Sequence, residues 1–336
     1  MGGGAWDPRA YSSARATRAA SGIDDFDYDN KVKTGRASGI HPDLDPAKVA
    51  GATSPYAGKP VRESRDSDEH PESLPIAVIF DVTGSMGGIP RILQQKLTSL
   101  MDVVIAKADV KDPQVLVGAV GDAHSDQYPF QVGQFESDNR FDEQLRNIIL
   151  EGNGGGQQME SYALAYRFAA YHTATDAWDK RGKKGYFFTM GDEAPWPTVT
   201  TREVERIFGI KAVGDETVKE LLQKAQEKWE IYHLYCMDGS YPNALDIHEQ
   251  WQKLLGERFV KVDDSSLVCE IIAGIVNMLE TAKSIDQVVD DIGLVGSAAK
   301  SVKNALVPIA NAKLPSKLAS GKLPKAASGK AGVTAI

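Results

Sequence analysis

The sequence predicts an α/β fold: a doubly wound, mainly parallel six-stranded sheet with helices on both faces and one antiparallel edge strand. Three observations lead there. Short, continuously apolar, β-rich runs recur along the chain. Segments with apolar residues at helical spacing separate them. Loops rich in Gly, Asp, Ser and Thr follow the strands. Strands alternating with helices build a sheet covered on both sides.

The run Ile76-Ala77-Val78-Ile79-Phe80 suits a first strand buried on both faces. Residues 89–107 carry Ile92, Leu93, Leu97, Leu100, Val103 and Val104 at helical spacing. Val115–Val120 reads as a second strand. Gln127–Phe135 alternates, and its hairpin-like distance from the second strand makes it the antiparallel edge. Helices are expected near 140–151 and 160–174. Gly185–Met190 is a fourth strand, followed by helices near 201–209 and 215–228. Glu230–Cys236 is a fifth strand, then a helix near 244–255. Phe259–Val262 is a short sixth strand, and Leu267–Leu279 closes as a helix.

These elements place an α/β domain at 74–280. Residues 1–73 are rich in Gly, Ser, Ala, Asp and Arg without a sustained period, which predicts an extended or disordered arm. Residues 281–312 predict an amphipathic helical segment weakened by Gly293 and Gly296. Residues 313–336 are near-repetitive in Lys, Leu and Pro and predict a flexible basic tail.

The net charge is −8, unevenly spread. From Ile292 onward there are seven lysines and no acids, which leaves −15 on residues 1–291. A global nucleic-acid footprint is thus missing, and nucleic acid is expected to meet only the basic tail. Two cysteines, Cys236 and Cys269, are too few for a disulfide framework or a zinc set and read as buried thiols. No secretory pattern opens the sequence, and no apolar run is long enough to span a bilayer. The expectation is a soluble, cytoplasmic protein with no membrane partner.

In open α/β sheets the working site lies beyond the carboxyl ends of the central strands. There the first strand runs into Asp81-Val82-Thr83-Gly84-Ser85-Met86-Gly87-Gly88. Asp81, Thr83 and Ser85 supply one carboxylate and two hydroxyls at alternate positions of a tight loop. Such hard oxygen donors suit Mg²⁺, Mn²⁺ or Ca²⁺ rather than zinc. A second loop, Gly154-Gly155-Gly156-Gln157-Gln158-Met159-Glu160-Ser161, opens a helix. A third, Gly191-Asp192-Glu193-Ala194-Pro195, ends the fourth strand. Helix capping would account for Asp81 or Asp192 singly, but not for both at the ends of adjacent strands.

The Asp81-x-Thr83-x-Ser85 segment resembles the first motif of the metal-ion-dependent adhesion site of von Willebrand factor A domains. The three loops over residues 74–280 come in that family's order, as in its stand-alone bacterial or phage members. The resemblance implies the Rossmann-like arrangement above. It also implies Thr83 and Ser85 as direct metal ligands, Asp81 acting largely through water, and Asp192 as the third-loop acid. Gln157 stands where the family has Thr or Asp; Gln158, Glu160 or Ser161 are substitutes for it. Glu160, Ser161, Asp122 and Glu193 are candidates for the rim or for supporting the ligands.

By that resemblance the chain is a protein-binding module and not an enzyme. Its divalent cation captures an Asp or Glu from a protein partner, within a multi-subunit or virion assembly if the source is a phage. An alternative stays open. Asp81-Val82-Thr83-Gly84-Ser85 also resembles the phosphorylated loop of haloacid-dehalogenase-type phosphotransferases, with Asp81 as nucleophile. Against it, Trp196 occupies the place of that family's second acid, four residues past Asp192.

Overall fold

The computed structural model describes residues 4–24, 27–48, 53–97, 99–108 and 110–312. Six strands form the main sheet: β1 (Leu74–Asp81), β2 (Pro113–Val120), β3 (Phe130–Val132), β4 (Gly185–Gly191), β5 (Trp229–Cys236) and β6 (Phe259–Val262). Their order across the sheet is β6-β5-β4-β1-β2-β3. All neighbours are parallel except β2 and β3. A mainly parallel sheet with one antiparallel edge strand is therefore present, and β1 lies inside it between β4 and β2.

The alternation along β1 explains its apolar run. Ile76, Val78 and Phe80 enter one apolar cluster, and Ala77 and Ile79 enter another. The first cluster takes residues from α3 (Ile89–Leu97), α10 (Val268–Thr281), α11 (Ile285–Ile292) and α12 (Gly296–Asn311). The second takes residues from α5 (Tyr162–Tyr171), α7 (Thr201–Phe208), α8 (Val218–Ala225) and α9 (Leu245–Leu255). Each large aliphatic or aromatic side chain buried this way contributes roughly 1.5–3 kcal/mol. A strand so enclosed holds its carboxyl end in place, which is what a site at Asp81 requires. Cys236 and Cys269 are free and buried, as expected.

The structure departs from expectation in several places. Residues 1–73 contain more regular structure than an extended arm. Helices α1 (Pro8–Ala20) and α2 (Asp27–Lys33) form there. Further on, Arg62–Ser64 pairs in parallel with Thr173–Thr175. Tertiary partners supply the order that local periodicity does not announce. Trp6 Nε1 donates to Asp102 Oδ1 at 2.6 Å, and Leu44 is fully buried in the first cluster. Leu44 O also accepts from the Val132 N–H at 2.8 Å, beside β3.

The helix expected over 89–107 stops at Leu97 and resumes after a break as a short turn leading into a wider π-helical stretch. The edge strand shrinks from Gln127–Phe135 to Phe130–Val132. At Gly133 the Gln144 side chain packs so close that a Cβ there would sit within 2.8 Å of its Cδ. Residues 281–312 form two helices rather than one segment, parted at Gly293 (φ 77°) and Gly296 (φ 62°). Val288, Ile292, Val302 and Leu306 belong to the same cluster as β1, so these helices share the sheet's core. The basic tail at 313–336 lies outside the described residues. Among the described residues, no helix is long and apolar enough to cross a membrane.

Candidate metal centre

β1 ends at Asp81, which is 0% exposed. Its Oδ1 accepts from the Thr83 backbone N–H at 2.8 Å and from Thr83 Oγ1 at 2.6 Å, an Asx-type turn that bends the chain back on the strand end. Gly84–Met86 then forms one 3₁₀ turn, and Gly87 (φ 52°) directs the chain into α3. The Ser85 hydroxyl lies 3.2 Å from Thr83 Oγ1 and donates to Asp192 Oδ1 at 2.9 Å. Asp81, Thr83, Ser85 and Asp192 thus bring their side-chain oxygens into one continuous run of close contacts across the ends of β1 and β4.

The second loop closes over this chain. Gly84 N–H donates to Asn153 O at 2.5 Å, and a Cβ on Gly84 would sit 3.0 Å from Gly152 O. Beyond it, Gly156 (φ 71°) and the non-glycine Gln158 (φ 58°) reverse the backbone. Met159–Glu160 pairs in parallel with Ala194–Pro195, clamping the second loop to the third. These reversals decide which side chains face inward. Glu160 is buried and Gln157 is exposed. Among the described residues, no hydrogen bond joins Gln157 to Thr83, Ser85 or Asp192. Ser161 also stays apart from them: its Oγ accepts from the Ala123 N–H at 2.8 Å and holds the loop that carries Asp122.

Asp122 is buried beside the site and accepts from Ser125 Oγ at 2.8 Å and from Trp196 Nε1 at 2.9 Å. The Trp196 ring in turn packs on His124, with centroids 4.2 Å apart. The Glu193 carboxyl group lies beside Ser85 and Glu160. Three further residues complete the site without having been singled out in the sequence. Tyr162, first in α5, donates through its hydroxyl to Asp81 Oδ2 at 2.6 Å. Ser240, just past β5, donates its backbone N–H to Asp192 Oδ2 at 2.6 Å and its hydroxyl to Ser85 O at 2.5 Å. The Tyr235 hydroxyl lies 2.7 Å from the Asp192 carbonyl oxygen. Met237-Asp238-Gly239-Ser240 follows a central strand, so the rule that pointed to Asp81 also covered it.

The electrostatics are those of crowded, buried acids. Burial pushes Asp81 up to about 7; hydrogen bonds from Thr83 and Tyr162 oppose that push, and Asp192 adds to it. Asp192 and Glu193 are raised mainly by burial. Glu160 is pushed up to about 12 by burial and by the nearby Asp81 and Glu193 carboxylates. Among the described residues, no Lys, Arg or His forms an ion pair with Asp81, Asp122, Glu160, Asp192 or Glu193. Nor do three or more His, Cys, Asp or Glu side chains by themselves form a metal-holding group there. A site for a hard cation therefore requires the hydroxyls of Thr83 and Ser85 as well. Those hydroxyls are in place, carboxylates surround them without a counter-charge, and Glu160 Oε2 is buried with no hydrogen-bond partner. The donor set fits Mg²⁺, Mn²⁺ or Ca²⁺.

No family model matches the chain. No curated protein matches it. Among solved structures it is similar to the pilus adhesin SpaC of Lactobacillus rhamnosus GG in its open conformation, at 11% identity and a TM-score of 0.44, over 69% of this chain and 31% of that one. It is also similar to proximal thread matrix protein 1 of the mussel byssus, at 12% identity and a TM-score of 0.38, over 65% of this chain and 46% of that one. This chain spans less than half the length of either, and likeness at that level carries no functional argument.

Proposed function

We propose that this chain is a metal-dependent protein-binding module of the von Willebrand factor A kind, with a doubly wound sheet and no catalytic activity of its own. The observation that carries the reading is the run of close side-chain oxygens from Asp81 through Thr83 and Ser85 to Asp192. It joins residues 107 positions apart and gathers hard oxygen donors at the ends of two adjacent buried strands. Thr83, Ser85 and Asp192 would hold the cation; Asp81 fixes Thr83, Tyr162 fixes Asp81, and Ser240 fixes Asp192. A bound divalent cation would offer positive charge and an open coordination position to an Asp or Glu of a partner protein. Such a contact suits an assembly joint, which is the context we propose.

The phosphotransferase alternative needs Asp81 as an exposed nucleophile. Here both of its carboxylate oxygens accept hydrogen bonds and the residue is enclosed, which favours binding over catalysis.

Isothermal titration of the full chain with Mn²⁺ and Mg²⁺ tests the proposal, comparing wild type with Ser85→Ala. Wild type should bind one ion, and Ser85→Ala should lose binding while keeping its far-UV spectrum. Wild type that binds neither ion overturns the proposal. A generic aryl-phosphate assay provides the second arm, and turnover dependent on Asp81 would restore the enzymatic reading.

A further inference from the structure

We infer that Glu160, not Gln157, is the second loop's ligand to the cation; this rests on the metal-binding reading above. The resemblance placed a neutral amide at that position, whereas the backbone places a carboxyl group.

Three observations lead there. First, the backbone around Glu160 is held by the third loop. Its strand pairs with Ala194–Pro195, the Trp196 N–H donates to Glu160 O at 2.9 Å, and the Ala194 N–H donates to Gln158 O at 3.1 Å. Second, its carboxyl group faces the hydroxyl loop. The point where a Cβ on Gly154 would sit is 3.7 Å from Glu160 Oε1 and 3.9 Å from Thr83 Cβ, so both side chains border the same space. Third, Glu160 is 1% exposed and its Oε2 has no hydrogen-bond partner.

Leaving a buried polar atom unpaired destabilises the fold. A carboxyl oxygen kept unpaired in this way, beside hydroxyls and other carboxylates, is arranged for a ligand. The Glu193 carboxyl group, beside both Glu160 and Ser85, adds a further oxygen donor to the same space. Gln157 has no such place. It is exposed, and its Oε1 turns back over Gly155, on the Asp122 side of the loop. The cation therefore has one more carboxylate around it than the resemblance implies, and its affinity depends on Glu160.

The experiment is Mn²⁺ titration of the full chain by calorimetry and by electron paramagnetic resonance. The variants are Glu160→Gln, Glu160→Asp, Gln157→Ala and Ser85→Ala. Glu160→Gln should weaken Mn²⁺ binding by about 10-fold or more, the scale of losses at metal sites. Glu160→Asp should fall between it and wild type, and Gln157→Ala should stay within about twofold of wild type, as expected of an exposed side chain. Thermal melting without metal supplies the folding control. Glu160→Gln removes an acid from among acids and should melt at or above the wild-type temperature. Mn²⁺ binding that Ser85→Ala abolishes and Glu160→Gln leaves intact overturns this inference alone. So does a loss carried by Gln157→Ala. Wild type that binds no Mn²⁺ overturns the parent reading and this one with it.

Discussion

The Tyr162 hydroxyl donates to Asp81 Oδ2 at 2.6 Å, and both groups are fully buried. It is the one described donor to that oxygen, since Thr83 serves Oδ1. Tyr162→Phe should therefore destabilise the fold by about 1–3 kcal/mol, the cost of an unsatisfied buried acceptor. Urea unfolding in chelator checks the value. A change under about half a kcal/mol, the range of ordinary surface substitutions, would show that the hydroxyl has no such role.

Gly191 makes that contact possible. A Cβ on it would lie 1.7 Å from the Tyr162 oxygen and 2.9 Å from Asp81 Oδ2. Gly191→Ala should displace the tyrosine, with a cost of about 1–3 kcal/mol or more from overpacking. Metal binding should weaken in the same variant, so melting curves with and without Mg²⁺ should converge.

Metal removal should be visible in stability. A ligand at 100 times its Kd stabilises the folded state by about 2.7 kcal/mol. Wild type should lose about that much when excess chelator replaces saturating Mg²⁺, and Ser85→Ala should lose nothing. Equal curves for wild type in the two buffers would contradict the proposed cation site.

His172 predicts a pH response away from the site. It is 3% exposed, its Nδ1 lies 2.9 Å from Pro60 O, and its ring stacks on Phe208 at 4.4 Å. Nε2 is buried without a partner. Burial lowers its pKa to about 4. The folded pKa lies below the unfolded one, so the folded state favours neutral imidazole. That stability is complete above the unfolded value near 6.5 and is lost as pH falls through about 4, by roughly 3 kcal/mol at most. Unfolding free energies at pH 7 and pH 5 should differ in wild type and differ less in His172→Leu.

Arg62 ties the N-terminal region to the sheet. It is 1% exposed and donates to Gly133 O, Lys48 O and Asp45 O at 3.1, 3.1 and 2.7 Å. Arg62→Met should cost about 3 kcal/mol by leaving those carbonyls unpaired. Proteolysis should then begin within residues 1–61, which would show that the guanidinium holds that region down.

The sheet was legible because buried parallel strands are written as continuous apolar runs: Phe259–Val262 matches its strand residue for residue. The first motif was legible because Asp81, Thr83 and Ser85 come from one short loop. Glu160 and Gln157 were not distinguishable in the same way. Their orientation follows from positive φ at Gly156 and Gln158 and from pairing with Ala194–Pro195, 35 positions along the chain. Tyr162 and Ser240 were missed because each reaches its partner only through tertiary packing. The order within residues 1–73 has the same origin: Leu44 and Arg62 are anchored by distant residues, and no local pattern declares it.

The hydrogen bond from Val132 N–H to Leu44 O has a consequence for how copies of this protein can associate. Exposed sheet borders invite foreign strands, and β-strand addition is a common route to fibres and donor-strand joints. At β3 the protein's own leading segment already takes the Val132 N–H of that border. An incoming strand would have to displace Leu44 before it could pair with Val132.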